Sequence, residues 1–182
     1  ATAMVGPGSL KHFGRGELVL GSLGAKFDHL NELSEFFQKA SIPCDISPNI
    51  KKDLWLKFLV NCSYNGISAI GQIQYGKMVS NQEIVDLIKQ ITRECLAVAN
   101  KEGVAITAQE AAAANEAIGV TMSGQKSSTA QDLVKGKLTE IDYLNGLIVR
   151  RAAEHGLQAH ANQAVYALVK MLEKNGINII SK

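Results

Sequence analysis

The stretch Ile50–Ile70, IKKDLWLKFLVNCSYNGISAI, decides how the rest of the chain is read. It is long enough for about six helical turns and apolar in almost every direction, through Leu54, Trp55, Phe58, Leu59, Val60 and Cys62. One polar stripe interrupts this. Asp53, Lys57, Asn61 and Asn65 recur every four residues, which places them along one slowly drifting face. The pattern predicts a buried helix whose ammonium and carboxamides need partners, because unpaired burial costs a few kcal/mol for each group. Two readings satisfy that demand. The stripe is either a polar network that fixes helix packing or the lining of a wet cleft.

Upstream of this helix the grammar is different. Short extended pieces at Ala3–Val5 and Glu17–Gly21 sit among glycines, and a helical period runs from Asp28 to Ala40 through Leu30, Leu33, Phe36 and Phe37. A further extended piece follows at 43–46. Strand 17–21, helix 28–40 and strand 43–46 make a β-α-β unit, too little for a complete sheet and therefore a remnant of one. Beyond Pro48 every signal is helical, so the expected division is 1–48 and 49–182.

The downstream helices are delimited by caps. Asn81 begins a helix to about Glu102, and Thr107 with Glu110 forms a capping box for an Ala-rich helix to about Met122. Ser128 with Gln131 fits a box for a short helix to Val134. Thr139 with Asp142 fits another, for a helix from Glu140 to His155, and a last helix runs from about Ala161 to Lys174. Between the first two helices, Gln72–Gly76 reads as a turn.

Composition excludes several classes. Hydrophobic residues are 46% and charged residues 20% of the 182, and the formal charge is +2, with no basic run interleaved with aromatics that would mark a nucleic-acid surface. Apolar runs are too short to span a bilayer and the opening residues lack signal-peptide order, so the expected location is cytoplasmic, with no membrane partner. Cys44, Cys62 and Cys95 are odd in number and far apart, which favours reduced packing thiols over a disulfide or metal site. The four histidines have no ligand spacing either, so no metal is expected.

Five residues remain as candidates for chemistry: Lys57, Asn61, Asn65, Ser128 and Glu140. A buried lysine needs a counter-charge, and Glu140 is the carboxylate best placed by pattern to supply it. Such a pair is a strut, or a device that hands a proton to a developing alkoxide. Ser128, at a helix start, is a cap or part of a carboxylate site. No G-x-G-x-x-G pattern occurs in the chain.

The segments KDLWLKFLVNCSYNGISAI with Gly76, and SSTAQDLVKGKLTEIDYLNG with EHG, resemble the two signature blocks of ketopantoate reductases (2-dehydropantoate 2-reductases). The resemblance covers nearly the whole chain. It implies a mainly α fold, the helical domain of the 6-phosphogluconate-dehydrogenase class, preceded by the end of a Rossmann domain. It also implies that Lys57 is the general acid, that Glu140 is its partner and a ligand of the substrate hydroxyl, that Asn61 and Asn65 contact substrate, and that Ser128 holds the substrate carboxylate. The implied cofactor is NADPH and the implied substrate a 2-oxo acid. Two features depart from the family: Gly66 stands where Pro usually follows the second Asn, which predicts a loosened helix end, and the Gly-rich dinucleotide loop is absent. The chain is therefore expected to be a fragment that neither binds NADPH tightly nor turns over alone. Other readings are a reductase of another 2-oxo acid, with residue 66 and the turn near Tyr75 as points of difference, and a non-catalytic helical module that forms a homodimer.

Overall fold

The computed structural model describes residues 2–12, 16–24 and 29–176. By compactness the chain divides into two units, Ala1–Asp53 and Leu54–Lys182, so the division falls inside the long helix and a few residues beyond the one expected from sequence.

The first unit holds a hairpin and a β-α-β element. Strands β1 (Thr2–Gly6) and β2 (Ser9–His12) pair antiparallel. Strand β3 (Leu18–Leu20), helix α1 (Leu30–Lys39) and strand β4 (Cys44–Ile46) follow, with Leu18 opposite Cys44 in a parallel pair. The helix is tied to the second strand by side chains. The buried Ser34 hydroxyl donates to the Cys44 carbonyl at 2.8 Å, and Gln38 Nε2 donates to the same oxygen at 2.9 Å. The β-α-β unit read from sequence is present with slightly shorter strands; residues 25–28 lie outside the described ones.

The second unit is helical throughout its described residues. Helix α2 (Ile50–Gly71) enters it and is followed by α3 (Tyr75–Val79), α4 (Gln82–Lys101), α5 (Ala108–Thr121), α6 (Ser128–Val134), a single 3₁₀ turn (Ile141–Tyr143), α7 (Asn145–Glu154) and α8 (His160–Asn175). The core is made by Leu59, Cys62, Met78, Ile91, Cys95, Val98, Ile141, Ile148 and Val169, all at or near zero exposure. All three cysteines are buried free thiols. No helix among the described residues is long and apolar enough to cross a membrane.

The caps at Asn81 and Thr107 form as expected: Asn81 Oδ1 accepts from Ile84 N at 2.9 Å, and Thr107 and Glu110 satisfy one another's backbone N–H groups. The segment read as a plain turn at 72–76 contains the start of α3. Five residues make barely one helical turn, too few to show a period in sequence.

Helix α2 corrects the expectation of uniform burial. From Leu59 to Ala69 every residue except the half-buried Asn61 is buried, but Asp53 and Lys57 in its first turns are exposed. The polar groups that are buried have partners: Ser63 Oγ lies 3.1 Å from Thr92 Oγ1, and Ser68 Oγ donates to the Ile73 carbonyl at 2.8 Å. Asp53 accepts from the Ser47 hydroxyl, and Asn49 Oδ1 caps the helix through Lys52 N at 3.2 Å.

Gly66 does not loosen the helix end, which continues five residues to Gly71. It is instead a point of close approach. A Cβ at this position would lie 2.2 Å from Val165 Cγ1 of α8, a stiff side chain that cannot swing away. Gly66→Ala is therefore expected to destabilise the protein by about 1–3 kcal/mol through overpacking. Combining it with Val165→Ala should restore part of that loss. Urea unfolding of the two single variants and the double variant measures the coupling, and strict additivity would contradict the contact.

Candidate functional site

The five candidate residues lie on α2 and on two segments attached to its successive turns. Lys57, Asn61 and Asn65 are on the helix itself. Ser128 is fixed through its neighbour: Ser127 Oγ donates to the Asn65 carbonyl at 3.0 Å, and Ser127 N donates to Ser68 Oγ at 3.1 Å. Glu140 is fixed from its other side. Ile141 is fully buried, with its Cδ1 3.5 Å from where a Cβ on Gly66 would lie, and Asn145 Nδ2 donates to the Cys62 carbonyl at 3.0 Å.

Ser127, not Ser128, caps α6, its Oγ accepting from Ala130 N at 3.0 Å. The box expected between Ser128 and Gln131 is therefore absent, and the Ser128 side chain is exposed and makes no hydrogen bond among the described residues. The doublet Ser127-Ser128 offers two equivalent caps to a sequence reading. Only the depth at which Ser127 sits selects one.

Glu140 is also placed differently from expectation. Helix α7 begins at Asn145, and the preceding residues form the 3₁₀ turn, whose first hydrogen bond runs from Tyr143 N to the Glu140 carbonyl at 2.9 Å. Glu140 is thus outside α7 and not in its first turn, as the helix expected from Glu140 to His155 would have it. Its side chain is exposed. Neither Glu140 nor the exposed Lys57 makes a side-chain hydrogen bond or ion pair among the described residues, so the buried Lys57–Glu140 pair inferred from pattern is not formed. None of the five lines the cavity beside Trp55 and Phe58, the groove between α4 and α5, or the hollow beside Ile67 and Ile73.

A charged clamp holds the Glu140 segment. Thr139 N and Oγ1 both donate to Glu173 Oε1 of α8, at 2.8 and 2.7 Å, and Lys170 Nζ reaches Asp142 Oδ2 at 2.7 Å and Glu173 Oε2 at 2.6 Å. Tyr166 donates its phenolic proton to Asp142 Oδ1 at 2.8 Å. The hydrogen bond from Lys170, helped by Tyr166, holds the Asp142 carboxyl below its ordinary value. Burial pushes Glu173 upward, but Lys170 and Thr139 outweigh it and the net shift is downward. Depressed carboxylates add stability above their unfolded pKa, near 4, and that stability disappears as pH falls through the depressed folded values. Lys170→Met should accordingly lower Tm at neutral pH, and the gap from the unaltered protein should close as the pH drops below about 4. Thermal melts across that range would show a constant gap if the clamp contributed nothing.

Asn65 is the one buried member of the stripe, at 5% exposure. Its Oδ1 accepts from the Tyr75 hydroxyl at 3.3 Å, while its amide nitrogen makes no hydrogen bond among the described residues. Tyr75 packs edge-on against Tyr64, with ring centroids 5.3 Å apart. Burial, together with Tyr64, pushes the Tyr75 phenol up to about 12, so it remains a donor through the neutral range. A phenol that donates to Oδ1 leaves the Asn65 NH₂ as the group able to donate to an oxygen-rich ligand. The position of Tyr75 was legible in sequence only as a point of difference; its hydrogen bond depends on the first turn of α3.

The comparisons bear on what this arrangement serves. The family model for the ketopantoate reductase PanE/ApbA C terminal matches residues 49–173. A 2-dehydropantoate 2-reductase from Vibrio cholerae serotype O1 is 30% identical over 166 residues, 91% of this chain and 56% of the relative. A PanE/ApbA family ketopantoate reductase from Ralstonia eutropha JMP134 superposes with a TM-score of 0.87 at 43% identity, covering 96% of this chain and 57% of that one. D-mandelate dehydrogenase, in its ternary structure with NADH and anilino(oxo)acetate, superposes with a TM-score of 0.89 at 27% identity over 96% and 57% of the two chains. The chain thus spans a little over half the length of the relatives it matches. With a family match over most of its length, and a mainly helical fold shared with these reductases, the chain belongs to the ketopantoate reductase PanE/ApbA C-terminal family.

Proposed function

We propose that this chain supplies the substrate-binding and proton-donating half of an NADPH-dependent reductase that converts 2-dehydropantoate to pantoate. The observation that carries the reading is the family match across residues 49–173, which contains all five candidate residues. The two domains of the proposal are 1–48, the end of a Rossmann domain, and 49–182, the helical substrate domain.

In this reading the 2-oxo acid lies along α2 from Lys57 to Asn65. Lys57 carries an ammonium with no side-chain partner among the described residues, so its proton is available to the oxygen at C2 as that oxygen gains charge. Glu140 is the carboxylate assigned to partner the lysine in the complete site and to accept a hydrogen bond from the product hydroxyl. The Asn61 and Asn65 amides donate to substrate oxygens, with Tyr75 setting the orientation of the second. Ser128, relieved of capping by Ser127, donates to the substrate carboxylate. The reduced nicotinamide supplies the hydride to C2. None of the described residues forms the Gly-rich turn after a strand that would cradle its pyrophosphate, so no residue here is assigned to holding it.

A second reading keeps the fold and exchanges the substrate for an aromatic 2-oxo acid. The superposition on D-mandelate dehydrogenase favours it. Following nicotinamide absorbance with the full-length protein, NADPH or NADH, and either 2-dehydropantoate or 2-oxo-2-phenylacetate separates the two. A kcat/KM higher by tenfold or more for 2-dehydropantoate with NADPH supports the first reading. A preference for the aromatic acid replaces it with the second, and turnover of neither removes both.

A further inference from the structure

A groove of about 450 Å³ runs between α4 and α5, closed at one end by Val79 of α3 and Tyr64 of α2. Its volume lies within the range of small-molecule sites, about 300–1,000 Å³. Val85, Ile88 and Leu96 line it with branched apolar carbon. None of the residues assigned to the 2-oxo acid lies on its wall.

Three polar groups on this wall have capacity left for a ligand, one buried and two exposed. The first is Asn115, 7% exposed. Its Nδ2 donates to Thr92 Oγ1 at 2.9 Å, and the Thr92 hydroxyl in turn donates to the Ile88 carbonyl at 2.7 Å, so the amide is set with nitrogen towards the threonine. That leaves Asn115 Oδ1 buried with no hydrogen bond among the described residues. The second is the exposed Arg93, whose guanidinium donates to the neutral carboxamide of Gln90 at 2.9 Å and acts on Asp86 only through its charge, with no direct ion pair among the described residues. The third is Glu116, one residue from Asn115, which makes no ion pair or hydrogen bond among them. The remaining charge, Lys89, is already held by Asp86 at 3.1 Å.

A cation and an anion with no ion pair among the described residues, and an orphaned acceptor, beside an apolar trough match the charged head and the apolar body of a zwitterion. We infer that this groove binds a free α-amino acid with a large apolar side chain. Its carboxylate meets Arg93, its ammonium meets Glu116 and donates to Asn115 Oδ1, and its side chain lies on Val85, Ile88 and Leu96. A carboxylate or an amine alone would leave one wall charge facing nothing, which is why the zwitterion is favoured over either.

The test is calorimetric titration of the purified full-length protein with L-leucine and L-phenylalanine, and with 3-phenylpropionate and 2-phenylethylamine, which lack the ammonium and the carboxylate respectively. Saturable one-site binding of at least one amino acid is expected, with each analogue weaker than phenylalanine by about threefold or more, as exposed charge contacts allow. Ala112 is exposed on the groove wall, so Ala112→Trp fills the trough without disturbing the core and should abolish binding with an unchanged thermal melt. Arg93→Gln should weaken phenylalanine but not 2-phenylethylamine. Absence of saturable binding by either amino acid, equal binding of phenylalanine and both analogues, or binding that survives Ala112→Trp would each overturn the assignment.

Discussion

Lys57→Ala in the full-length enzyme is expected to lower kcat by about a hundred- to ten-thousandfold, the range over which a positioned general acid acts. That corresponds to about 3–5 kcal/mol of barrier, at 1.36 kcal/mol per tenfold. The structure makes this a clean experiment. Lys57 is exposed and has no hydrogen bond or ion pair among the described residues, so its removal should leave the thermal melt unchanged. A loss of rate then reports chemistry and not folding. Ser128→Ala, also at an exposed position, should act mainly on KM, because the hydroxyl proposed to hold the carboxylate would serve the ground state and transition state alike. Equal losses of kcat in the two variants would contradict this division of roles.

The largest effect on stability is expected at Glu94. This carboxylate is 6% exposed on α4 and serves as the cap of a different helix: Oε1 accepts from Ala161 N at 3.0 Å, and Oε2 accepts from Asn162 N at 3.0 Å and from Asn162 Nδ2 at 2.7 Å. Helix α8 has no side-chain cap of its own, since Ala159 stands at that position. Asn162 Oδ1 then accepts from Asn145 Nδ2 at 2.9 Å, which also holds the Cys62 carbonyl of α2. One anion therefore anchors a chain of hydrogen bonds through four helices and offsets the positive end of α8. Glu94→Ala should cost about 3–5 kcal/mol, and Glu94→Gln less, because an amide oxygen can keep one of the bonds. Urea unfolding reads both. A loss below about 0.5 kcal/mol for Glu94→Ala would place Glu94 with ordinary surface positions.

The helices and their order were legible in the sequence where local chemistry suffices. Asn81, and Thr107 with Glu110, announce the starts of α4 and α5, because a cap is made within three or four residues. The β-α-β unit was legible for the same reason, as its periods change from two to 3.6 and back within thirty residues. The candidate residues were found by a polar stripe and by family resemblance, and the family itself is borne out by the match over residues 49–173. What failed were the inferences that needed the depth of Lys57, Ser128 and Glu140, all three of which are exposed. Lys57 and Asn61 are one turn apart on the same face, yet one is exposed and the other half-buried, because α2 passes from the edge of the helical unit into its centre between them.

The sequence by itself thus determined the helical architecture, the capped helix starts and the membership of the reductase family, all of which depend on contacts within a few residues or on motif identity. Tertiary structure alone decided the environment of each group. It made Ser127 and not Ser128 the cap, because only Ser127 is buried against Asn65 and Ser68. It turned Gly66 from a weak point into a contact with Val165, separated from it by about a hundred residues. It also placed Glu94 at the end of α8, sixty-seven residues away from Ala161. Burial and long-range hydrogen bonding are properties of which helices meet, and no spacing along one helix encodes them.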